Sequence, residues 1–292
     1  MSNINFLTEE RKKVIYNIEN AIMAGNSFAK VELSDPKITS KDVEKIIIPF
    51  DNRRGSVFAK SKSFIARKLA ENLTRKNNKY TVICGIENAL SVRGGAIITS
   101  NHYNPTDSTP IRMMACACDK RKKLHIIIEE SNVFMKGLFG FLMRNCNTHP
   151  VSRSKEYMVN NLKPEIEHLL KEKSYLLIYP EEQMWYNYKK PRALRDGAYH
   201  YAALYGVPVI PTFTEMITQN GERDANGFLP VQHVLHILPP IYPDPSLSVR
   251  ENRIIMQTKD YELKQKAYED IYKIPLSEDF IAERDIAGIT PD

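Results

Sequence analysis

The chain has 292 residues, 42% hydrophobic and 26% charged, with 12 glycines and 17 prolines. That is the make-up of one large globular domain, or of one domain with an appendage, and it excludes disorder, collagen-like repeats and disulfide scaffolds. Lys and Arg outnumber Asp and Glu by 41 to 35. The surplus is uneven: Asn52 to Tyr80 holds nine basic residues against one acid, whereas Lys259 to Asp292 holds five against nine. A local basic block speaks for an anionic partner, whether a membrane surface, a nucleic acid or an acidic carrier protein.

In chain order, the start MSNINFLTEERKK carries no apolar core behind its charges, so it does not read as a secretory signal. Leu7, Val14, Ile18 and Ile22 recur at helical spacing up to Gly25. Phe58, Ile65, Leu69 and Leu73 do the same inside the basic block, with Lys60 and Arg67 on the opposite face. From Tyr80 the pattern changes to short β-rich runs (YTVIC at 80, AIITS at 96, LHIII at 124, YLLIY at 175, VPVIPTF at 207). Helical candidates near 108–119, 131–143, 154–172 and 193–205 stand between them, and Pro164 should kink or split the third. The polar QNGERDANG stretch predicts an antiparallel excursion through VQHVLHILPPIY, and an amphipathic helix near 249–272 closes the chain. This alternation predicts an α/β fold, a mostly parallel central sheet flanked by helices, with a helical segment over 1–78 and the main domain over 79–292. No apolar run approaches the 18 or so residues of a membrane-spanning helix.

Glycine spacing excludes several sites. No two glycines are two, four or five apart, which removes the dinucleotide fingerprint, the G-x-S-x-G elbow and the phosphate-cradling loop of nucleotide hydrolases. There is no H-E-x-x-H, and Cys116 and Cys118 have no second pair at zinc-site spacing, so no metal is expected and these read as buried thiols. With Cys84 and Cys146 they fit the reduced thiols of a cytoplasmic protein.

Ser100-Asn101-His102-Tyr103-Asn104-Pro105-Thr106-Asp107 follows the strand AIIT and contains an Asn-Pro turn. His102 then sits at the carboxyl lip of the sheet, where ligands bind in open α/β folds, and the turn can fold Asp107 back onto the imidazole. A neutral imidazole can take a proton from an alcohol near pH 7, and a carboxylate fixes its tautomer and stabilises the imidazolium. The plainer alternative is a helix-capping Asp beside a loop His.

Four blocks in order make the sequence resemble the glycerolipid acyltransferases typified by 1-acyl-glycerol-3-phosphate acyltransferases, over residues 80 to 245. N-H-x4-D is met by Asn101, His102 and Asp107; the second block is GLFGFLMRNCNTHPVSR, ending in Arg153. The third, F-P-E-G-T-R in the family, is here Tyr179-Pro180-Glu181-Glu182-Gln183-Met184, and the fourth is Val207-Pro208-Val209-Ile210-Pro211. The resemblance implies an O-acyltransferase that moves a fatty acyl group from acyl-CoA or acyl-carrier protein to a lysophospholipid hydroxyl in phospholipid biosynthesis, without a cofactor, metal or covalent acyl-enzyme. It makes His102 the base, Asp107 its partner and Arg153 the clamp on the acceptor's phosphate. Glu181 either orients the acceptor or braces the basic loop, and backbone N–H groups near the third block are candidates for the oxyanion.

The third block has Glu182 and Met184 where the family has Gly and Arg, which leaves a glycolipid or aminolipid acceptor open. Lys189, Lys190, Arg192 and Arg195 just downstream could supply the missing substrate-binding charge, the bland alternative being a solvated basic loop. Trp185 could line an acyl channel, anchor at an interface or simply pack. His125, His233 and His236, on β-like runs, read as core or edge residues. A bilayer-resident acceptor and a +8 block predict a membrane-facing basic helix over 53–76 and a protein peripheral to the inner face of the membrane. No nucleic-acid partner is expected, since few aromatics interleave the cations. A non-catalytic protein binding an anionic surface is the reading from another class.

Overall fold

The computed structural model describes residues 3–33, 36, 38–39, 41–42, 56–119 and 123–291. Arg53 and Arg54, the start of the expected basic helix, lie outside the described residues.

Seven strands form one sheet in the order β1 (Val82–Cys84), β7 (Val231–Ile237), β6 (Val209–Thr218), β2 (Ala96–Thr99), β5 (Tyr175–Ile178), β3 (Leu124–Glu129) and β4 (Thr148–Val151). Every pairing is parallel except β6 with β7, so the polar stretch at 219–227 does turn the chain back antiparallel. β4 escaped the sequence reading: THPV is short and carries a proline, which weakens any strand signal. The central β2 is buried at all four residues, as expected of a parallel strand covered on both faces.

The helices are α1 (Glu9–Met23), α2 (Val57–Asn77), α3 (Ile86–Leu90), α4 (Ser108–Cys118), α5 (Gly137–Asn145), α6 (Lys163–Lys171), α7 (Gly197–Tyr205), α8 (Val249–Tyr272) and α9 (Ala282–Asp285). α8 spans the predicted residues and opens with a full capping box, in which the Ser248 and Glu251 side chains each accept from the other's backbone N–H. The expected helix at 131–143 is instead a 3-10 turn at 130–134 followed, after Met135 and Lys136, by α5, which opens on Gly137 at φ 63°. Pro164 does not break its helix. The run from 155 to 171 is interrupted instead by a π-helical turn at 158–162, just before the proline, and resumes as α6 with Pro164 at its second residue.

The N-terminal helices pack on the body. Val14, Ile15 and Ile18 of α1 share a core with Trp185, Tyr188, Phe228 and Ile286. α2 presents its small face, Ala66, Ala70 and Thr74, to α4 and α5. Phe58, Ile65 and Leu69 remain exposed, and only Leu73 of the expected apolar face is partly buried. Among the described residues no helix is long and apolar enough to cross a membrane.

Candidate active site

The carboxyl edge of the sheet gathers the ends of β2, β5, β3 and β4, and so places the loops after Thr99, Ile178, Glu129 and Val151 along one rim. The end of β2 is held from three sides. Thr99 donates its hydroxyl to Asp260 of α8 at 2.6 Å, Tyr199 of α7 donates to the same oxygen at 2.6 Å, and Lys264 pairs with Asp260 at 2.7 Å, all fully buried. Beyond the strand, Asn101 extends the β2–β6 pairing with its side chain: its Nδ2 donates to the Thr214 carbonyl at 3.1 Å and its Oδ1 accepts from Thr214 N–H at 2.8 Å. Asn101 therefore acts as a substitute peptide group that continues the ladder to the residue before His102.

His102 Nδ1 lies 2.6 Å from Asp107 Oδ2. Asp107 stands at the N-cap position of α4, yet its side chain makes no capping bond. It turns back instead to His102, to the Tyr103 N–H at 3.2 Å and to the Tyr179 hydroxyl, which donates to Oδ1 at 2.6 Å. The helix-capping alternative fails on this geometry. The imidazole keeps 22% of its surface exposed while the carboxylate keeps 4%, so the ring reaches solvent from a buried anion.

Tyr179, which the sequence reading placed in the third block without giving it a role, comes off β5 and stacks on the imidazole with ring centroids 4.2 Å apart. Burial, and then the adjoining Asp107 carboxylate, hold its phenol protonated well above the ordinary range. The only available signal was its place at the head of the third block.

Glu181 is buried and faces inward. Its Oε2 accepts the His102 backbone N–H at 3.1 Å and the Arg192 guanidinium at 2.9 Å, and its Oε1 accepts the Arg192 N–H at 3.1 Å. Arg192 also donates to the carbonyls of Ser27 and Gln183 and lies over the Trp185 ring. Burial pulls its guanidinium below the ordinary range against the opposing pull of Glu181. Trp185 is itself 1% exposed and donates to the Ala29 carbonyl, so packing is its role and neither a channel nor an interface is.

The loop 188–195 is not a solvated run of charge. Lys190 is buried among Asp285 Oδ2 at 3.1 Å and the carbonyls of Ser277 and Asp279, and Lys189 is buried beside the Tyr272 ring. Arg195 alone of the four is exposed, paired with Glu182 at 3.2 Å and lying over Phe28. Glu182, standing where the family has Gly, adopts φ 60°, a left-handed shape that costs a residue with a Cβ about 1–2 kcal/mol.

Arg153 follows β4, three strand positions from β2, which at about 4.8 Å per strand is roughly 14 Å along the rim. Its guanidinium is exposed, with Nε 3.2 Å from the buried Glu130. The structure thus brings His102, Asp107 and Glu181 together and leaves Arg153 on the same edge but apart. The N–H groups of Glu182, Gln183 and Trp185, in and just after the third block, are committed to the carbonyls of Tyr179, Glu181 and His102. Three of the N–H groups expected there as oxyanion donors are therefore spent within the chain.

A cleft of about 270 Å³ lined by Tyr103, Thr106, Thr109 and His233 adjoins the loop that carries His102 and Asp107, and an apolar crevice lined by Leu73, Pro105, Phe139, Leu142 and Met143 adjoins the same turn. The other histidines keep their structural reading: His125 pairs with His149 at 2.8 Å, His236 with Glu215 at 2.7 Å, and burial pushes His233 down to about 4. The expected buried thiols at the end of α4 are not buried, since Cys116 is exposed and Cys118 half-buried. A short helix in its last turn turns that face outward.

Residues 72–215 match the family model described as Acyltransferase. No curated protein matches the chain in sequence. Among solved structures, the chain is similar to the 1-acyl-sn-glycerophosphate (LPA) acyltransferase PlsC from Thermotoga maritima at 14% identity, with 92% of this chain and 100% of that chain covered and a TM-score of 0.50. That likeness gives the fold, a mostly parallel seven-stranded sheet flanked by helices. His102, Asp107, Arg153 and Glu181 all fall inside the matched span, and the chain belongs to the acyltransferase family as an acyltransferase enzyme.

Proposed function

We propose that the chain transfers a fatty acyl group from a soluble thioester, acyl-CoA or acyl-carrier protein, to a hydroxyl of a lysophospholipid, with 1-acyl-glycerol-3-phosphate as the acceptor. The observation that carries this reading is the 2.6 Å contact between His102 Nδ1 and Asp107. With Nδ1 engaged, Nε2 is the nitrogen that can take the acceptor's proton as its oxygen attacks the thioester carbon. Collapse of the tetrahedral adduct breaks the C–S bond, and the imidazolium returns its proton to the departing thiolate. Exposed Arg153 suits the acceptor's phosphate. Lys190 and Arg192 then serve the scaffold, and Arg195 is the cation of that loop left for substrate.

The acceptor resides in a bilayer, and the exposed side of α2 supports docking from one face. Phe58, Ile65 and Leu69 lie on it with Lys62, Phe64 flanks them together with Lys60 and Lys68, and neighbouring α5 adds exposed Leu138 and Phe139. Flotation with vesicles should depend on anionic lipid and weaken in Phe58→Glu and Ile65→Glu variants; lipid-independent flotation would remove this part. The catalytic reading is tested by thiol release from each thioester with lysophosphatidic acid, native chain against His102→Ala. Transfer should fall by at least a hundredfold in the variant, at the lower bound for general-base catalysis. Transfer only to an amine- or sugar-bearing lipid would instead favour the acceptor class that Glu182 leaves open.

A further inference from the structure

We propose that Tyr179 is a positioning residue of the transfer reaction, its hydroxyl locking the Asp107 carboxylate so that Asp107 presents one oxygen to His102 and holds the imidazole ready as a base. The inference rests on the reading of His102 as that base. Both carboxylate oxygens of Asp107 are taken from opposite sides: Oδ1 accepts from Tyr179 at 2.6 Å, while Oδ2 meets His102 Nδ1 at 2.6 Å and the Tyr103 N–H at 3.2 Å. Rotation of the carboxylate about its Cβ–Cγ bond would break all three contacts. The same tyrosine ring lies flat against the imidazole, 4.2 Å between centroids and 20° between planes. One side chain thus fixes the base and the base's partner together. Tyr179 follows β5, and β5 pairs directly with β2, so sheet register sets this distance. Where the block it resembles carries phenylalanine, this chain carries a phenol.

The hydroxyl also has an electrostatic effect. A phenol that donates to a carboxylate draws charge from it, so the anion stabilises a neighbouring imidazolium less and the neutral base persists to lower pH. The phenol stays a donor throughout the working range, because burial and Asp107 hold it protonated. The charged and titratable groups around this contact are Asp107, His102, Tyr103, Arg112 and, from β7, His233, with Glu181 on the His102 backbone. None of the others donates to Asp107 Oδ1 among the described contacts.

Tyr179→Phe keeps the stacked ring and removes only the donor. The acid limb of kcat/KM against pH should then move up by about half a unit to one unit, a loss of roughly three- to tenfold on that limb, with the acceptor KM little changed. Titration of the His102 ring, followed by NMR of 15N-labelled histidine without substrate, should move in the same direction. A cycle with Asp107→Asn separates positioning from packing. If Tyr179 acts through Asp107, the double variant should be no slower than Asp107→Asn alone, whereas independent, multiplying losses would overturn the proposal. An unchanged ring titration and acid limb in Tyr179→Phe would also overturn it, while leaving the base reading intact. Full transfer by His102→Ala would remove the base reading, and the ring titration would still report whether Tyr179 governs the imidazole.

Discussion

Glu181 can brace the loop that carries His102 or touch the acceptor, and Glu181→Gln separates the two. The substitution removes the negative charge that pairs with Arg192, whose guanidinium side chain is 3% exposed, and it leaves one acceptor oxygen for the two backbone N–H groups that the carboxylate holds. Breaking a buried ion pair from one side costs about 3–5 kcal/mol. Arg192 retains the Ser27 and Gln183 carbonyls, which places the expected loss near the lower end, about 3 kcal/mol. With an unfolding entropy of about 2.1 cal/mol/K per residue, that is a Tm fall of roughly 5 °C for a chain of this length. Scanning calorimetry gives the Tm, and assays well below it give the kinetics. A brace predicts the Tm fall with an unchanged KM for the acceptor. A Tm within about 2 °C of the native value, together with a collapse in turnover, would refute the bracing argument and put the carboxylate against substrate.

Two further outcomes follow from burial and charge. Arg153→Ala removes an exposed guanidinium, so Tm should stay within about 1 °C while kcat/KM for a phosphorylated acceptor falls about tenfold to a hundredfold, the range of one charge-assisted contact; equal loss on a neutral lipid would remove the phosphate role. His233 is held down to about 4, so it stays neutral in the folded chain while the unfolded chain protonates it below about 6.5. Its share of stability is complete above about pH 6.5 and is lost as pH falls towards about 4, amounting to about 2 kcal/mol by pH 5. His233→Gln should therefore lose less Tm than the native chain between pH 7.5 and pH 5, and parallel losses in the two would exclude His233 as a source of acid sensitivity.

What could be read from the sequence was local. His102 and Asp107 are separated by one turn, so their spacing offered the dyad beside a helix-capping alternative, the other three blocks of the resemblance favoured the dyad, and the AIIT run before them fixed their place at the sheet edge. α8 was equally plain because its period is long and its cap is made by adjacent residues. The missed strand β4 has four residues and a proline, and its pairing with β3 is decided by packing across the sheet. Tyr179 and Glu181 lie 72 and 79 residues from their partners in the site, and no pattern on one segment registers a contact formed by two.

The charge pattern was visible in outline and misleading in detail. A run of cations at 189–195 and an acidic tail after 259 stood out separately, yet each is part of the other's explanation. Asp279 and Asp285 from that tail fold back on Lys190, and Asp285 is wholly buried with it. A lysine can be buried at 2% side-chain exposure only because a carboxylate and several carbonyls meet its three donors, since an unpaired charge there would be prohibitive. The same reasoning applies to Arg192 on Glu181. Net charge along a sequence therefore predicted an anionic ligand for these residues, whereas the fold supplies most of that counter-charge from the chain itself. Arg153 at the rim, Arg195 and the lysines on the outer side of α2 are among the cations that stay exposed, and it is there that an external phosphate or lipid surface would have charge to neutralise.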